Sequence, residues 1–218
     1  LVQGLGGQLT QWPDNLIDLL KDNNFRPIVY DNRDIGLSTK FIGSPNYTTD
    51  YLKYILRLPL KSEYTIDDMG LDGISVLDKL NIESAHLLGM SMGGMIAQIM
   101  AANHSERIKS FTLIASTAAT PSPFNSPTRE VRKLILDRSV TEDASYEDRY
   151  LRAVELIKVI GMKGYEFDTP EFKQQAIENM KRSKDDTGFS RQLLAILASK
   201  NRFKKIQSIK IPTLIVHG

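Results

Sequence analysis

The sequence predicts an α/β fold, with a mostly parallel, doubly wound sheet that carries a helical insertion, and three observations predict it. Short apolar runs alternate with helical patterns, as parallel strands joined by crossover helices require. A glycine-flanked serine sits where an apolar strand pattern passes directly into an apolar helix pattern. Residues 121–205 carry helical patterning without a convincing strand, after which strand character returns.

The elements follow in chain order. Leu1-Val2 ends a strand, and Gly4, Gly6 and Gly7 make a flexible turn. Trp12-Pro13-Asp14 opens a helix running to about Asn23. Pro27-Ile28-Val29-Tyr30 is the next strand and closes on a polar loop. Residues 41–64 hold proline and tyrosine without a clear period, so they read as loop with one short helix. Ile66, Met69, Ile74, Leu77 and Leu80 recur at helical spacing and predict an amphipathic helix over 65–81. Ala85-His86-Leu87-Leu88 is a buried strand, Met95 to Ala102 a buried helix, and Ser110 to Ala115 another strand. Pro121, Pro123 and Pro127 then form a linker. The candidate helices after it are Val131 to Leu136, Tyr150 to Ile160, Pro170 to Lys181 and Phe189 to Ala198. Ile211 to Val216 is strand again. The organisation expected is a core over 1–120, a helical lid over 121–205 and a return to the core over 206–218. Such an insertion lies over the carboxyl edge of the strands, where open α/β sheets bind ligands.

Bulk properties narrow the function classes. The chain of 218 residues is 41% hydrophobic and 25% charged, ordinary for a globular protein. A net charge of +2 gives no pull toward nucleic acid or anionic membranes, so neither is an expected partner. The basic run Lys200, Arg202, Lys204 and Lys205 reads as a solvated helix face. The absence of cysteine excludes disulfides, thiolate metal sites and cysteine nucleophiles. No apolar run has membrane-spanning length and no signal-peptide pattern is visible, so a cytoplasmic location is the default expectation. The chain opens at Leu1 within a strand pattern and stops at Gly218 directly after another; both ends are expected to be cut.

Gly89-Met90-Ser91-Met92-Gly93 has the G-x-S-x-G spacing of a nucleophile elbow. That spacing has a steric cause: a serine on a sharp strand-to-helix turn lifts its hydroxyl clear of the sheet. Neighbouring chain passes so close that side chains at Gly89 and Gly93 would collide. The helix that starts directly afterwards offers free N–H groups and partial positive charge where negative charge would develop. Gln3-Gly4-Leu5-Gly6 is the second motif. Acyl transfer builds an oxyanion that needs two preorganised donors, and the backbone N–H groups of Met92 and Leu5 are the candidates. In Asp31-Asn32-Arg33-Asp34-Ile35-Gly36-Leu37-Ser38, Arg33 and the acids are expected to tie loops together, with Gly36 permitting a turn.

These motifs together resemble the α/β-hydrolase superfamily and, more narrowly, its aclacinomycin methylesterase-like branch. The likeness runs from Val2 through Trp12-Pro13 to the stretch Tyr30 to Thr39, covers Gly89 to Gln98, and returns over 209–218; it is poor through the helical insertion. The resemblance implies hydrolysis of a carboxylic ester of a small molecule by a Ser–His–acid triad, without cofactor or metal. Gln3 departs from the family pattern, where a histidine often precedes the oxyanion glycine; the hole itself uses backbone N–H groups. The family also places the acid a few residues beyond Gly218 and the base further on. Residues 1–218 by themselves are therefore expected to be nearly inactive and poorly stable.

Three histidines are present. His86 lies in the strand before the elbow and is expected to pack between sheet and helix. His104 lies near the far end of the following helix, ~15–20 Å from Ser91 at the helical rise. His217 ends a strand beside glycine and reads as a loop-shaping residue. Two other enzyme readings use the same elbow, an amidase or iminopeptidase and a cofactor-free peroxidase-like hydrolase. Dehalogenases and epoxide hydrolases of this fold carry aspartate at the nucleophile position and fit less well. A noncatalytic small-molecule-binding or receptor-like homologue is the reading from a different class. Met90, Met92 and Met95 fit either a hydrophobic pocket or plain core.

Overall fold

The computed structural model describes residues 1–43, 45–119, 127–137, 144–161, 164–183 and 187–218, with the side chains of 47, 48 and 136 excepted. Pro121 and Pro123 of the expected linker lie outside the described residues. The chain divides into two compact units, one formed by Leu1–Pro123 with Thr187–Gly218 and the other by Phe124–Asp186.

The first unit is built on a parallel sheet. Strands β1 (Ala85–Met90), β2 (Ile108–Ile114) and β3 (Thr213–Val216) lie side by side in that order. Leu87 pairs with Phe111, and Phe111 in turn with Thr213. Val2 adds an isolated parallel bridge to Gly89 on the far side of β1. Pro27–Tyr30, expected as a strand, forms no ladder. Pro27 lacks an N–H, and the bond that Ile28 O receives from the Leu1 nitrogen is too little to make a ladder.

Helices α1 (Asp14–Asp22), α2 (Tyr47–Ile55), α3 (Ile66–Lys79) and α4 (Met92–Asn103) precede the second unit in the chain. α3 begins with a capping box: the Thr65 hydroxyl accepts from Asp68 N–H while the Asp68 carboxylate accepts from Thr65 N–H. Its expected apolar positions Ile66, Met69, Ile74 and Leu77 are buried, whereas Leu80, just past its end, is 40% exposed. α4 is buried on all sides from Met92 to Ala101, as befits a helix that is apolar all round but for Gln98. It connects β1 to β2 and packs on both strands and on α3. Met69, Met92, Ile96, Ile99 and Phe111 belong to the same buried cluster. Each such side chain contributes roughly 1.5–3 kcal/mol by leaving water. Met92 and Met95 are thus core residues.

Helices α8 (Thr187–Ala198) and α9 (Phe203–Ile206) return to this first unit. The sequence reading carries the helical insertion to residue 205, but Thr187–Gly218 belongs to the same compact unit as Leu1–Pro123. Buried polar groups explain the earlier return: Arg191 and Gln192 of α8 bond to residues 33 and 34. Arg202 also departs from expectation. Far from lying on a solvated face, it is 3% exposed; its Nε donates to Gln98 Oε1 at 2.9 Å and one terminal nitrogen to Thr117 O at 2.8 Å. Burial lowers its pKa.

The second unit contains α5 (Arg129–Leu136), α6 (Tyr146–Ile160) and α7 (Pro170–Arg182). Each starts on a hydroxyl cap, supplied by Thr128, Ser145 and Thr169, and α7 has proline in its first turn. Tyr150, Val154 and Ala176 form its small core, and the Tyr150 hydroxyl donates to Asp168.

Candidate active site

Ser91 stands between the end of β1 and the start of α4 with φ 53° and ψ −120°. Positive φ in a residue that carries a Cβ costs of order 1–3 kcal/mol and persists only where the surroundings over-determine it. Here they do. Ser91 N–H donates to Ile114 O at 2.9 Å, and Ser91 O accepts from Gly94 N–H at 2.9 Å, Met95 N–H at 3.2 Å and the Ser116 hydroxyl at 2.7 Å. The residue is exposed, and its hydroxyl makes no hydrogen bond among the described residues. Both flanking glycines are sterically required. A Cβ on Gly89 would lie 2.4 Å from Gly93 O, and one on Gly93 would lie 2.0 Å from Val2 O.

The second motif lies against this turn. Val2 N–H donates to Leu88 O at 2.8 Å and Met90 N–H to Val2 O at 3.2 Å, which fixes the segment beside β1. The chain then reverses: Gly7 N–H donates to Gly4 O at 3.1 Å, with Leu5 and Gly6 at the tip. Gly6 has φ 71°, the positive value that the third position of a type II turn requires. A Cβ built on Gly4 would lie 3.8 Å from Ser91 Oγ, so the turn flanks the hydroxyl. Among the described residues, neither Leu5 N–H nor Met92 N–H has a hydrogen-bond partner. Met92 is 0% exposed, and an unpaired buried N–H is rare enough to call for a partner. It also heads α4, where the helix dipole favours negative charge.

Residues 31–38 have the tying role expected of them. Asp31 accepts from Leu9 N–H at 2.8 Å and Leu37 N–H at 3.0 Å, and Asn32 Nδ2 donates to Gln3 O at 3.0 Å. Arg33 grips Asp72 through Nε at 2.6 Å and a terminal nitrogen at 2.7 Å, which holds its pKa above the usual arginine value. Gly36 turns the loop with φ 56°.

None of the three histidines hydrogen-bonds Ser91 among the described residues. His86 is exposed rather than packed between sheet and helix; its Nδ1 meets the Ser110 hydroxyl at 2.7 Å and its ring meets Phe25 edge-on. Alternation along β1 is the cause, since Leu87 takes the buried face and turns His86 outward. His104 caps the end of α4, and His217 Nδ1 lies 2.7 Å from Gly218 O. A cavity of about 290 Å³ opens beside Asn46, Lys53, Lys61, Glu63 and Arg191, and its lining includes neither Ser91 nor the turn. Among the described residues, no group of three or more histidine, aspartate or glutamate side chains could hold a metal, and no helix is long and apolar enough to cross a membrane.

Sequence reasoning passed over Ser116, Arg191 and Gln192. Arg191 and Gln192 did leave a signal, as an adjacent polar pair heading the otherwise apolar run Leu193 to Ala198. Ser116 left none, because one hydroxyl after a strand is unremarkable.

Comparison with known proteins agrees with this architecture. A family profile described as alpha/beta hydrolase fold matches residues 1–218. Rhodomycin D methylesterase DauP of a Streptomyces species is 26% identical over 189 residues, which are 79% of this chain and 58% of that protein. The chain thus spans little more than half of that relative. The 3-oxoadipate enol-lactonase 2 of Acinetobacter baylyi is 33% identical over 115 residues, 53% of this chain and 35% of that one. A thermophilic esterase structure from Thermogutta terrifontis superposes with a TM-score of 0.66 at 19% identity, covering 100% of this chain and 69% of its own, a likeness of fold.

Proposed function

Since the chain belongs to the alpha/beta hydrolase fold family, whose profile spans all of it, we propose that Ser91 is the nucleophile of a serine hydrolase that cleaves carboxylic esters of small, apolar molecules. One observation carries the reading. An exposed serine is held at φ 53°, directly before Met92 and flanked by the Gly4–Gly7 turn, and the N–H groups of Met92 and Leu5 have no hydrogen-bond partner among the described residues. Positive φ occurs also at Asn24, Asp34, Arg57, Asn81 and Ala115, so at Ser91 it points to function through its combination with the exposed hydroxyl and the two donors. The relatives whose names include a methylesterase and an enol-lactonase support the ester as substrate class.

In this mechanism Ser91 Oγ attacks the ester carbonyl carbon while a histidine base takes the hydroxyl proton. The carbonyl oxygen becomes an oxyanion and accepts from the Met92 and Leu5 N–H groups. The C–O bond then breaks, and the alcohol leaves with the proton from the histidine. Water repeats the sequence on the acyl-enzyme, releasing the acid and restoring Ser91. Gly89 and Gly93 act by allowing the approach of chain that shapes the turn. On the family resemblance, we place the base and the acid after Gly218 in the complete protein.

The test is labelling of the full-length protein by a fluorophosphonate, with p-nitrophenyl butyrate as turnover probe. Parent protein is expected to label, and Ser91→Ala to lose both labelling and about 10⁴-fold or more in turnover. Equal labelling of parent and variant would remove Ser91 from the mechanism. A second reading is a small-molecule binder that retains the fold. An unlabelled parent protein that still binds apolar esters is its expected result.

A further inference from the structure

We propose that Gln192 is a positioning residue for the Leu5 N–H, and that α8 holds the Gly4–Gly7 turn in the conformation that presents this N–H beside Ser91. The inference rests on the reading of Ser91 and its two donors given above.

Gln192 is 0% exposed, and both ends of its amide are used. Its Oε1 accepts from Gly6 N–H at 2.9 Å, and its Nε2 donates to Arg33 O at 2.9 Å. The amide orientation follows from these partners, because an N–H must meet oxygen and a carbonyl must meet N–H. Gly6 N–H belongs to the peptide between Leu5 and Gly6, the middle unit of the turn. Anchoring that peptide, in a turn already closed by Gly7 N–H to Gly4 O, restrains the dihedrals of Leu5 and with them the plane of the preceding peptide, which carries Leu5 N–H.

The turn needs such an anchor. Gly4, Gly6 and Gly7 leave it broad conformational freedom, and its own closing bond is the one from Gly7 N–H to Gly4 O. Donors to an oxyanion act only when held within a fraction of an ångström of the productive position. The rest of α8 reinforces the anchor. A Cβ on Gly6 would lie 2.8 Å from the Phe189 ring, so that ring is packed against the turn. Arg191, next to Gln192, pairs with Asp34, next to Arg33. Two neighbours on the helix thus grip two neighbours on the loop, and Gln192 passes the grip on to Gly6.

The experiment compares full-length parent, Gln192→Met and Gln192→Glu by the rate of fluorophosphonate labelling at Ser91, at temperatures where circular dichroism shows each to be folded. Gln192→Met keeps the volume and removes both bonds; its labelling is expected to slow roughly 10–100-fold, short of the loss of a whole oxyanion donor. Gln192→Glu carries a pH signature. A neutral carboxyl retains a donor for Arg33 O and an acceptor for Gly6 N–H, whereas the ionised form has no donor and faces a carbonyl. Its rate relative to parent is expected near unity at acid pH and to fall as pH rises. A residue that served only packing would give a ratio independent of pH.

Labelling of folded Gln192→Met within twofold of parent overturns the proposal, as does a flat pH ratio for Gln192→Glu. If Gln192→Met does not fold, the Gln192→Glu series decides alone. An unlabelled parent, or one labelled no better than Ser91→Ala, overturns the Ser91 reading and this inference with it. Normal Ser91-dependent labelling with unaffected Gln192 variants overturns only the inference.

Discussion

Arg191 and Asp34 stand 157 positions apart in the chain and meet in a two-point ion pair, Nε to Oδ2 at 3.0 Å and Nη2 to Oδ1 at 2.8 Å. Their side chains are 3% and 0% exposed. Arg191 also donates to Gly43 O and the Thr187 hydroxyl, and Phe41 N–H donates to Asp34. With most of its polar atoms satisfied, the pair avoids the penalty of buried unpaired charge.

Removal of one partner exposes that penalty. Arg191→Met leaves the Asp34 carboxylate buried without its cation and is expected to cost about 3–5 kcal/mol of stability. Adding Asp34→Asn should restore part of the loss, since the uncompensated charge disappears with it. Chemical denaturation of the single and double variants checks this; a double variant less stable than Arg191→Met would contradict it.

Gly93 gives the sharpest steric prediction. A Cβ there would sit 2.0 Å from Val2 O and 2.6 Å from Gln3 O, both backbone atoms that cannot swing aside. Gly93→Ala is expected to destabilise by about 3 kcal/mol or more, beyond ordinary overpacking, because the start of α4 and the Val2–Gln3 segment must part. It should also abolish Ser91 labelling in whatever fraction remains folded. A denaturation midpoint close to parent would refute the close approach.

The capping box of α3 predicts a dependence on pH. Hydrogen bonds from the Thr65 hydroxyl and N–H hold the Asp68 carboxyl below the usual aspartate range, helped by Arg33. A pKa depressed by folding contributes stability that is present above the unfolded value of about 3.9 and is lost as pH falls through the folded value. Parent is therefore expected to exceed Asp68→Asn in stability at neutral pH, with the gap closing below about pH 4. Thr65→Ala should cost about 1 kcal/mol at pH 7. Thermal denaturation across pH 3–7 measures both, and a gap that widens in acid would contradict the sign.

Local chemistry by itself determined much of this protein. The periodicity of Ile66, Met69, Ile74 and Leu77 marks α3, and the run Met95 to Ala102, apolar but for Gln98, marks α4 as buried. The strand, sharp turn and helix about Ser91 were legible because they fall within one short segment, although the chain that requires glycine at 93 is the distant Val2–Gln3 segment. Tertiary structure decided the rest. Pro27–Tyr30 has strand composition but no ladder, because pairing depends on a neighbour and not on propensity. Arg202 reads as one of a basic run and is buried, because Gln98 and Thr117, brought from elsewhere in the chain, satisfy its guanidinium. The helix from Thr187 reads as part of the insertion and joins the core instead, because Asp34, Arg33 and Gly6 supply the partners for Arg191 and Gln192. Sequence pattern records what a residue needs from its immediate neighbours; which distant group meets a buried charge or amide is settled only when the chain closes on itself.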